Sequence, residues 1–186
     1  MSIVPKDEEV KFSRYKYIMS RTDTKGNIQF ANDYFLQVSG YDLTELVGKP
    51  HNIIRHPDMP KTIFKLMWDR LKSGNSIYAV VKNLAKDGRY YWVTTEFDIK
   101  RDPSTNEING YMAFRQMCPR KVVDTIEPIY AKLLEIESEQ GLKAAELYFN
   151  GFLDSRQESY DQFVENVAQN KGAMKIFFAA MKKFFS

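Results

Sequence analysis

Cysteine is almost missing from this chain, which has Cys118 alone among 186 residues. A single thiol excludes an internal disulfide and a cysteine-rich metal site. Long apolar runs are also lacking, since no stretch approaches the length of a membrane-spanning helix, which is about 20 residues. The first 16 residues contain no apolar segment of the secretory kind, so we expect a cytoplasmic location.

Net charge is low as well, because 27 basic residues nearly balance 24 acidic ones. A formal charge of +3 gives no field strong enough to recruit nucleic acid, and we expect no nucleic-acid partner. Apolar and aromatic side chains, in contrast, are abundant, at 44% and 14% of the residues. This composition predicts a packed core.

The sequence changes character near residue 118. Residues 15–118 mix short β-like runs with turn signals, which predicts an α+β domain. From residue 120 on, Gly and Pro become sparse and apolar residues recur at helical spacing. We therefore expect an N-terminal extension at 1–14, one mixed domain at 15–118 and a helical C-terminal extension at 119–186.

Caps and turns predict the order of elements in the mixed domain. After two strand candidates, Asn32 or Asp33 is suited to begin a helix, and Asp42 with Glu45 has the pattern of a capping box. Residues 59–74 again show apolar positions at helical spacing. Three strand candidates complete the domain: 76–86, 89–102 and 108–118. The predicted order is β-β-α-α-α-α-β-β-β.

The helical extension ends in an unusual stretch at 171–186. Its Met and Phe residues share one helical face, and four lysines without a nearby acid add positive charge. One interpretation is contact with the surface of a membrane, and the other is an ordinary helix that docks on protein. For the extension as a whole we expect either packing against the sheet or a role in homodimer formation or partner docking.

Five motifs carry a resemblance to a known family: ANDYF, VSGY, PHNIIRHPDMP, VKN and YWV. Together they resemble a PAS domain of the aerotaxis-receptor type, over about residues 15–118. The resemblance implies the PAS fold, a five-stranded antiparallel sheet with helices on one side that encloses a pocket. Without a membrane anchor or a coiled-coil signalling hairpin, the chain is most similar to the short CetB-like proteins of bipartite energy-taxis systems.

Function follows from the resemblance as a set of expectations. It implies a redox or oxygen sensor that holds FAD non-covalently. It also implies a separate, membrane-bound transducer of the methyl-accepting type as partner, through which the chain would associate with the membrane. We expect no enzymatic activity, because no proton-transfer constellation or substrate motif accompanies the flavin motifs.

The segment 50–60 contains both histidines of the chain. The resemblance implies that Arg55, His56 and Asp58 bind the cofactor. Neighbouring prolines restrict the backbone here, and a guanidinium is suited to a phosphate oxygen or a ring carbonyl. The alternatives are that Asp58 caps the next helix and that His56 packs in the core. We expect His51 to be structural.

Four further residues complete the expected pocket. Asn83 alternates with apolar residues on one face of its strand, and a buried amide there needs hydrogen-bond partners that a flavin edge offers. The resemblance implies a pocket contact for Asn83 and favours one for Asn32, whose alternative is a helix cap. Trp68 and Trp92 are expected to belong to the core and to wall the pocket.

Arg115 is a separate inference from the last strand. In similar flavin-binding light sensors a Gln stands on this strand beside the ring, and here the stretch AFRQM places Arg115 there. A fixed positive charge would favour the reduced flavin by Coulomb attraction. The alternative is that Arg115 points outward at the surface. A light sensor itself is excluded, because Cys118 lies outside the helix that carries the reactive thiol.

Two other functions remain open from the sequence. A PAS domain that senses gas through haem needs one histidine ligand, which His51 or His56 could supply. A PAS domain without cofactor would act as a protein-interaction module. A metal site formed by the two histidines is not expected, because their spacing does not place them on one helical face and no further His or Cys completes the shell.

Overall fold

The structure, a computed structural model, describes residues 3–168. Its first part has two strands, a helical connection and three strands, in the order predicted from the sequence. The strands are β1 (Ile18–Thr22), β2 (Ile28–Ala31), β3 (Tyr78–Leu84), β4 (Tyr90–Arg101) and β5 (Ile108–Met117). The connection comprises α1 (Asp33–Ser39), α2 (Leu43–Leu46), a 3₁₀ turn (His51–Ile54) and α3 (Lys61–Lys72).

The five strands form one antiparallel sheet in the order β2-β1-β5-β4-β3. The first two strands therefore pair with the last one, and β3 is left at an edge. The expected α+β class and the PAS architecture are confirmed. A cavity lies between α3 and the loop 50–55 on one side and the inner face of the sheet on the other.

The helix caps read from the sequence are present. The Asn32 side chain accepts a hydrogen bond from the backbone of Phe35 at the start of α1, and Gly40 ends that helix in the left-handed conformation. Asp42 and Glu45 form the capping box of α2. These local signals fix where the chain leaves the sheet and returns to it.

Within the described residues, three helices follow the sheet: α4 (Arg120–Gln140), α5 (Leu142–Ser155) and α6 (Tyr160–Ala168). The face of β3 and β4 that carries Lys82 and Trp92 is turned away from the cavity, and α4 packs there, with the rings of Trp92 and Tyr130 6.3 Å apart. Of the two expectations for the extension, packing against the sheet is thus observed. The stretch 171–186, for which membrane or docking contact was considered, lies outside the described residues.

The N-terminal segment crosses the turn between β3 and β4. Lys6 donates a backbone hydrogen bond to Gly88, and Tyr90 exchanges backbone hydrogen bonds with Glu8 and Val10. A side chain at Gly88 would meet the carbonyl oxygen of Val4 at 2.5 Å. Within residues 3–168, every helix is too short or too polar to cross a bilayer.

Glu137 of α4 caps the N-terminus of α3. Its carboxylate accepts hydrogen bonds from the backbone of Lys61 at 3.1 Å and of Thr62 at 2.7 Å, and from the Thr62 hydroxyl at 2.8 Å. We expect Glu137→Ala to lower the free energy of unfolding by about 1–2 kcal/mol, as loss of a helix cap does. Denaturant titration measures this change. The exposed Glu139→Ala is the control, and equal midpoints for the two variants would contradict the prediction.

Candidate functional site

The cavity has a volume of about 370 Å³, within the range of pockets that hold small molecules. The sheet contributes alternate residues of its strands, so the side chains of one pleated face point inward. Val81 and Asn83 do so from β3, as the alternation in the sequence predicted, and Thr95 and Arg115 do so from β4 and β5. The helical side contributes loop 50–55 and α3.

Arg115 faces the cavity and is 4% exposed, so the inward orientation is observed and not the surface alternative. Its guanidinium donates to the Ser20 hydroxyl and to Nε2 of His51, each at 2.9 Å. Burial lowers the Arg115 pKa to about 10. No Asp or Glu in the range 3–168 forms an ion pair with it, so the site holds a buried cation without its usual counterion.

His51 was expected to be structural, yet the structure places it in the cavity wall beside Arg115. Its ring stacks on Phe35 with centroids 5.8 Å apart. Because Nε2 accepts from Arg115, the ring is neutral and its proton is on Nδ1. Burial and the adjacent guanidinium lower the His51 pKa to about 3. No local signal identifies this role, which depends on the direction of the 3₁₀ turn.

Two buried polar atoms in the cavity wall have no hydrogen-bond partner among the described residues: Nδ2 of Asn83 and Oγ1 of Thr95. Asn83 is 4% exposed and Thr95 is fully buried. An unsatisfied polar atom costs about 1–3 kcal/mol in a folded protein, so such atoms usually have a partner. A polar ligand with both donors and acceptors along its edge would supply partners for these two groups.

Arg55 also lines the cavity, near the edge strand β3. Its guanidinium lies over the Phe64 ring at 4.1 Å and donates to the carbonyl oxygen of Met59 at 3.0 Å. The backbone of Arg55 forms an isolated β-bridge with Asn83. Two cavity residues that are far apart in the sequence are thus joined through their main chains.

On the side of the turn between β1 and β2, the cavity wall includes Trp68 and Gly26. Gly26 has φ +86°, and a side chain there would meet the Trp68 ring at 3.0 Å. The exposed Lys25 and Lys65 lie at this side, although Lys65 pairs with Asp69 and Glu146. With Arg55 and Arg115 they give a lining with four basic side chains and, among the residues described, no acidic one.

Four of the eight expected cofactor residues lie outside the cavity wall: Asn32, His56, Asp58 and Trp92. Asn32 uses its whole amide locally, since Oδ1 accepts from the backbone of Met19 and Phe35 and Nδ2 donates to Tyr17. The helix-cap alternative is therefore the observed one.

His56, Asp58 and Trp92 lie on the other side of β3. The His56 ring is buried against Tyr90, and its Nδ1 accepts from the backbone of Asp58. Asp58 pairs with Lys82 at 2.7 Å and does not cap α3, for which Glu137 provides the side-chain cap. Trp92 packs on Tyr130. The expectation that these side chains line the cavity is corrected in each case.

Comparison with known proteins agrees with this geometry. A family model described as the PAS fold matches residues 28–111. The chain is 45% identical over 118 residues to the aerotaxis receptor of Escherichia coli (strain K12), across 62% of this chain and 22% of that protein. The matched region has the PAS fold and is similar in sequence to the aerotaxis receptor.

Two further similarities extend the comparison. The biofilm dispersion protein BdlA of Pseudomonas aeruginosa is 31% identical over 81 residues, which are 43% of this chain and 19% of that protein. The dark structure of the blue-light photoreceptor Aureochrome1 LOV matches with a TM-score of 0.53 at 19% identity, over 64% of this chain and 86% of that one. The latter shows the fold alone. The chain spans about a fifth of the length of the curated relatives it matches.

The thiol of this PAS domain is not a cavity group. Cys118 is buried after β5, where its backbone N–H bonds to the carbonyl oxygen of Trp92, and burial raises the Cys118 pKa. No cysteine lies in the helical wall of the cavity, which comprises loop 50–55 and α3. The sequence-based exclusion of thiol-dependent light sensing is therefore consistent with the geometry.

The neutral state of His51 predicts how the stability of the PAS domain depends on pH. The His51 pKa is about 3 in the folded state and about 6.5 when unfolded, so the unfolded chain binds the proton first as pH falls. Folding stability is therefore lost between pH 6.5 and 3. Between pH 7 and 4, we expect the free energy of unfolding of wild type to fall by about 2 kcal/mol more than that of His51→Gln. This is about half of what the pKa difference alone would give, because His51 is partly exposed.

Urea titrations of both proteins at several pH values measure this difference. His56→Gln serves as a comparison, because burial also lowers the His56 pKa but less far than that of His51, so its removal should reduce the acid sensitivity by a smaller amount. The same acid sensitivity in wild type and His51→Gln would contradict a neutral His51 in the native state.

Proposed function

We propose that this PAS domain is a redox or oxygen sensor for energy taxis and that it holds FAD in the cavity. The observation that supports this most is the buried Arg115, a cation without a carboxylate partner in the described part of the chain. A buried charge is costly unless it is paired, so the position favours a ligand that is anionic or becomes so. A flavin supplies redox chemistry, and its dinucleotide carries phosphate charge.

The other wall residues fit such a ligand. The free amide hydrogens of Asn83 and the Thr95 hydroxyl are suited to the polar edge of a flavin ring. Arg55 and Lys25 supply positive charge toward the phosphates, and Trp68 supplies an apolar wall. A cavity of about 370 Å³ is smaller than the whole dinucleotide, so the ring side would enter and the adenosine side would extend toward the mouth.

Haem fits the same cavity less well. Its iron would need a histidine nitrogen with a free lone pair. Nε2 of His51 already accepts from Arg115 at 2.9 Å and lies 3.1 Å from the Ser20 hydroxyl. His56 lies outside the cavity and its Nδ1 accepts from the Asp58 backbone. Flavin is therefore the preferred cofactor, and a PAS module without cofactor is the second alternative.

The partner follows from the relatives by analogy. The aerotaxis receptor is a taxis protein of which this chain covers 22%. We propose a separate membrane-bound transducer of the methyl-accepting type, a homodimeric sensor and a cytoplasmic site of action. We also propose that the chain has no enzymatic activity of its own.

An absorption spectrum of the purified protein, before and after incubation with FAD and desalting, tests the cofactor. We expect bands at about 450 nm and about 370 nm that remain with the protein, and mass spectrometry of the released ligand should identify FAD. A Soret band would instead establish the haem alternative. Failure to retain FAD, FMN or haem would overturn the proposed cofactor and leave the interaction module.

A further inference from the structure

The edge strand β3 is bonded on its open side by side chains of the C-terminal helices. In an antiparallel pair, alternate residues of an edge strand point their N–H and C=O groups away from the partner strand. In β3 these are Tyr78, Val80 and Lys82, and an open row of such groups normally faces solvent or a further strand. Here the N–H groups of all three residues and the Val80 carbonyl oxygen have partners within the described chain.

Three contacts from α4 and α6 form this edge clamp. The Tyr78 N–H donates to Asp161 at 3.0 Å, and the Val80 N–H donates to the Tyr160 hydroxyl at 3.1 Å. The Val80 carbonyl oxygen accepts from the Tyr130 hydroxyl at 2.8 Å. The hydroxyls of Tyr130 and Tyr160 are themselves hydrogen-bonded at 2.5 Å. Both helices thus bond to one residue of the edge.

Lys82 adds an ionic contact to the edge clamp. Its ammonium group lies 2.7 Å from the Asp58 carboxylate and 3.5 Å from that of Glu127 on α4. It also lies over the Tyr90 ring at 4.6 Å, and its side chain is 8% exposed. A buried ammonium group depends on its carboxylate partners, so this contact is sensitive to small displacements.

The side chains on the other face of β3 line the cavity. Val81 and Asn83 alternate with Tyr78, Val80 and Lys82 along the strand and line the cavity, and the Asn83 amide is one of the two groups that lack a partner there. Lys82 directly precedes Asn83 in the chain. A movement of Asn83 toward a ligand therefore moves the backbone that carries the edge clamp.

We propose that α4–α6 are the output element of the sensor and that the edge clamp on β3 transmits the state of the cavity to them. This rests on the proposed function, because a redox change at the ring alters which hydrogen bonds the Asn83 amide makes. Hydrogen bonds weaken steeply beyond about 3.2 Å, so a small shift of β3 breaks some of the clamp contacts. The helices then change their stability relative to the sheet.

Hydrogen–deuterium exchange on the full chain tests the proposal. Samples are FAD-loaded and oxidised, FAD-loaded and reduced with dithionite, and free of FAD, and loss of the flavin band confirms reduction. In wild type, we expect exchange in β3 and in Tyr160–Ala168 to change by about threefold or more on reduction, well above the change elsewhere in the PAS domain.

Tyr160→Phe removes one hydroxyl from the edge clamp, and the exposed Tyr148→Phe on α5 is the matched control. We expect Tyr160→Phe to keep the flavin spectrum and lose most of the response in α6, while Tyr148→Phe keeps both. Asp161→Asn weakens the contact to Tyr78 and should act in the same direction. These results would separate transmission from simple stabilisation, because the basal fold and ligand are unchanged.

Two negative outcomes are distinguishable. If the protein retains and reduces FAD but exchange in α4–α6 is the same in both states, transmission through the edge clamp is overturned and the proposed function stands. If the protein retains no FAD, the proposed function fails first, and coupling of the clamp to a flavin fails with it.

Discussion

Arg115→Met is expected to lower the midpoint potential of the bound flavin by about 60–90 mV. A unit charge about 4–6 Å from the ring contributes about 3–4 kcal/mol at an effective dielectric constant of about 20, and 30 mV equals about 1.4 kcal/mol for two electrons. The charge of Arg115 is buried and lacks a carboxylate counterion within residues 3–168. The shift applies when reduction leaves negative charge on the ring, which the cation attracts.

Arg115→Met is also expected to change the stability of the protein without ligand. Removal of an unpaired buried cation leaves Ser20 and Nε2 of His51, which already lie 3.1 Å apart, to bond to each other. We therefore expect Arg115→Met without ligand to be at least as stable as wild type, although its affinity for FAD falls. A residue kept at the expense of stability is typical of a functional site.

Redox titration of the loaded protein and denaturant titration of the free protein measure both effects. Arg115→Lys keeps the charge and should shift the potential much less. Arg101→Met is the control, because it removes an exposed arginine that bonds to the Asn106 carbonyl oxygen, and it should leave the potential unchanged. A potential unchanged in Arg115→Met would show that this guanidinium does not act on the ring. A large loss of stability in the free protein would make Arg115 a structural residue.

Tyr130→Ala is expected to be the most destabilising single substitution considered, at about 3–5 kcal/mol. The Tyr130 ring is 1% exposed and packs on Trp92, and its hydroxyl bonds to Val80 and Tyr160. The substitution both opens a cavity and leaves the Val80 carbonyl oxygen without its partner. Because this oxygen lies at the edge of the sheet, we also expect the variant to self-associate.

Tyr130→Phe separates the two contributions, since it keeps the ring and removes the hydroxyl, for an expected loss of about 1–2 kcal/mol. Urea denaturation gives the stabilities, and analytical ultracentrifugation detects association. The exposed Tyr148→Ala is the control for loss of a tyrosine from the same helical extension. If Tyr130→Ala unfolds no more easily than this control, α4 contributes little to the stability of the sheet.

Local signals predicted most of the fold. The Asn32 cap, the Asp42–Glu45 capping box and the Gly40 stop each depend on residues within four positions of one another, and all three are present. The inward direction of Asn83 also followed from simple alternation along β3. Such features can be read from a sequence because their partners are neighbours in the chain.

The site was harder to predict because its partners are distant in sequence. His51 meets Arg115 across 64 positions, and the cap of α3 comes from Glu137, 75 positions after Thr62. Asp58 looked like a helix cap or a ligand, but a lysine 24 positions later holds it outside the cavity. The family resemblance pointed to a segment that does contribute to the cavity wall, but it did not resolve which of its side chains face inward.

Gly88 shows how one position of the PAS domain depends on a segment that precedes it. At φ +93° an asparagine is ordinarily an acceptable substitute for glycine, but here any β-carbon would collide with the Val4 carbonyl oxygen. Related chains in which nothing overlies this turn are free to carry Asn at it. In an alignment, the residue at this turn therefore indicates whether a homologue also has an N-terminal segment packed across it.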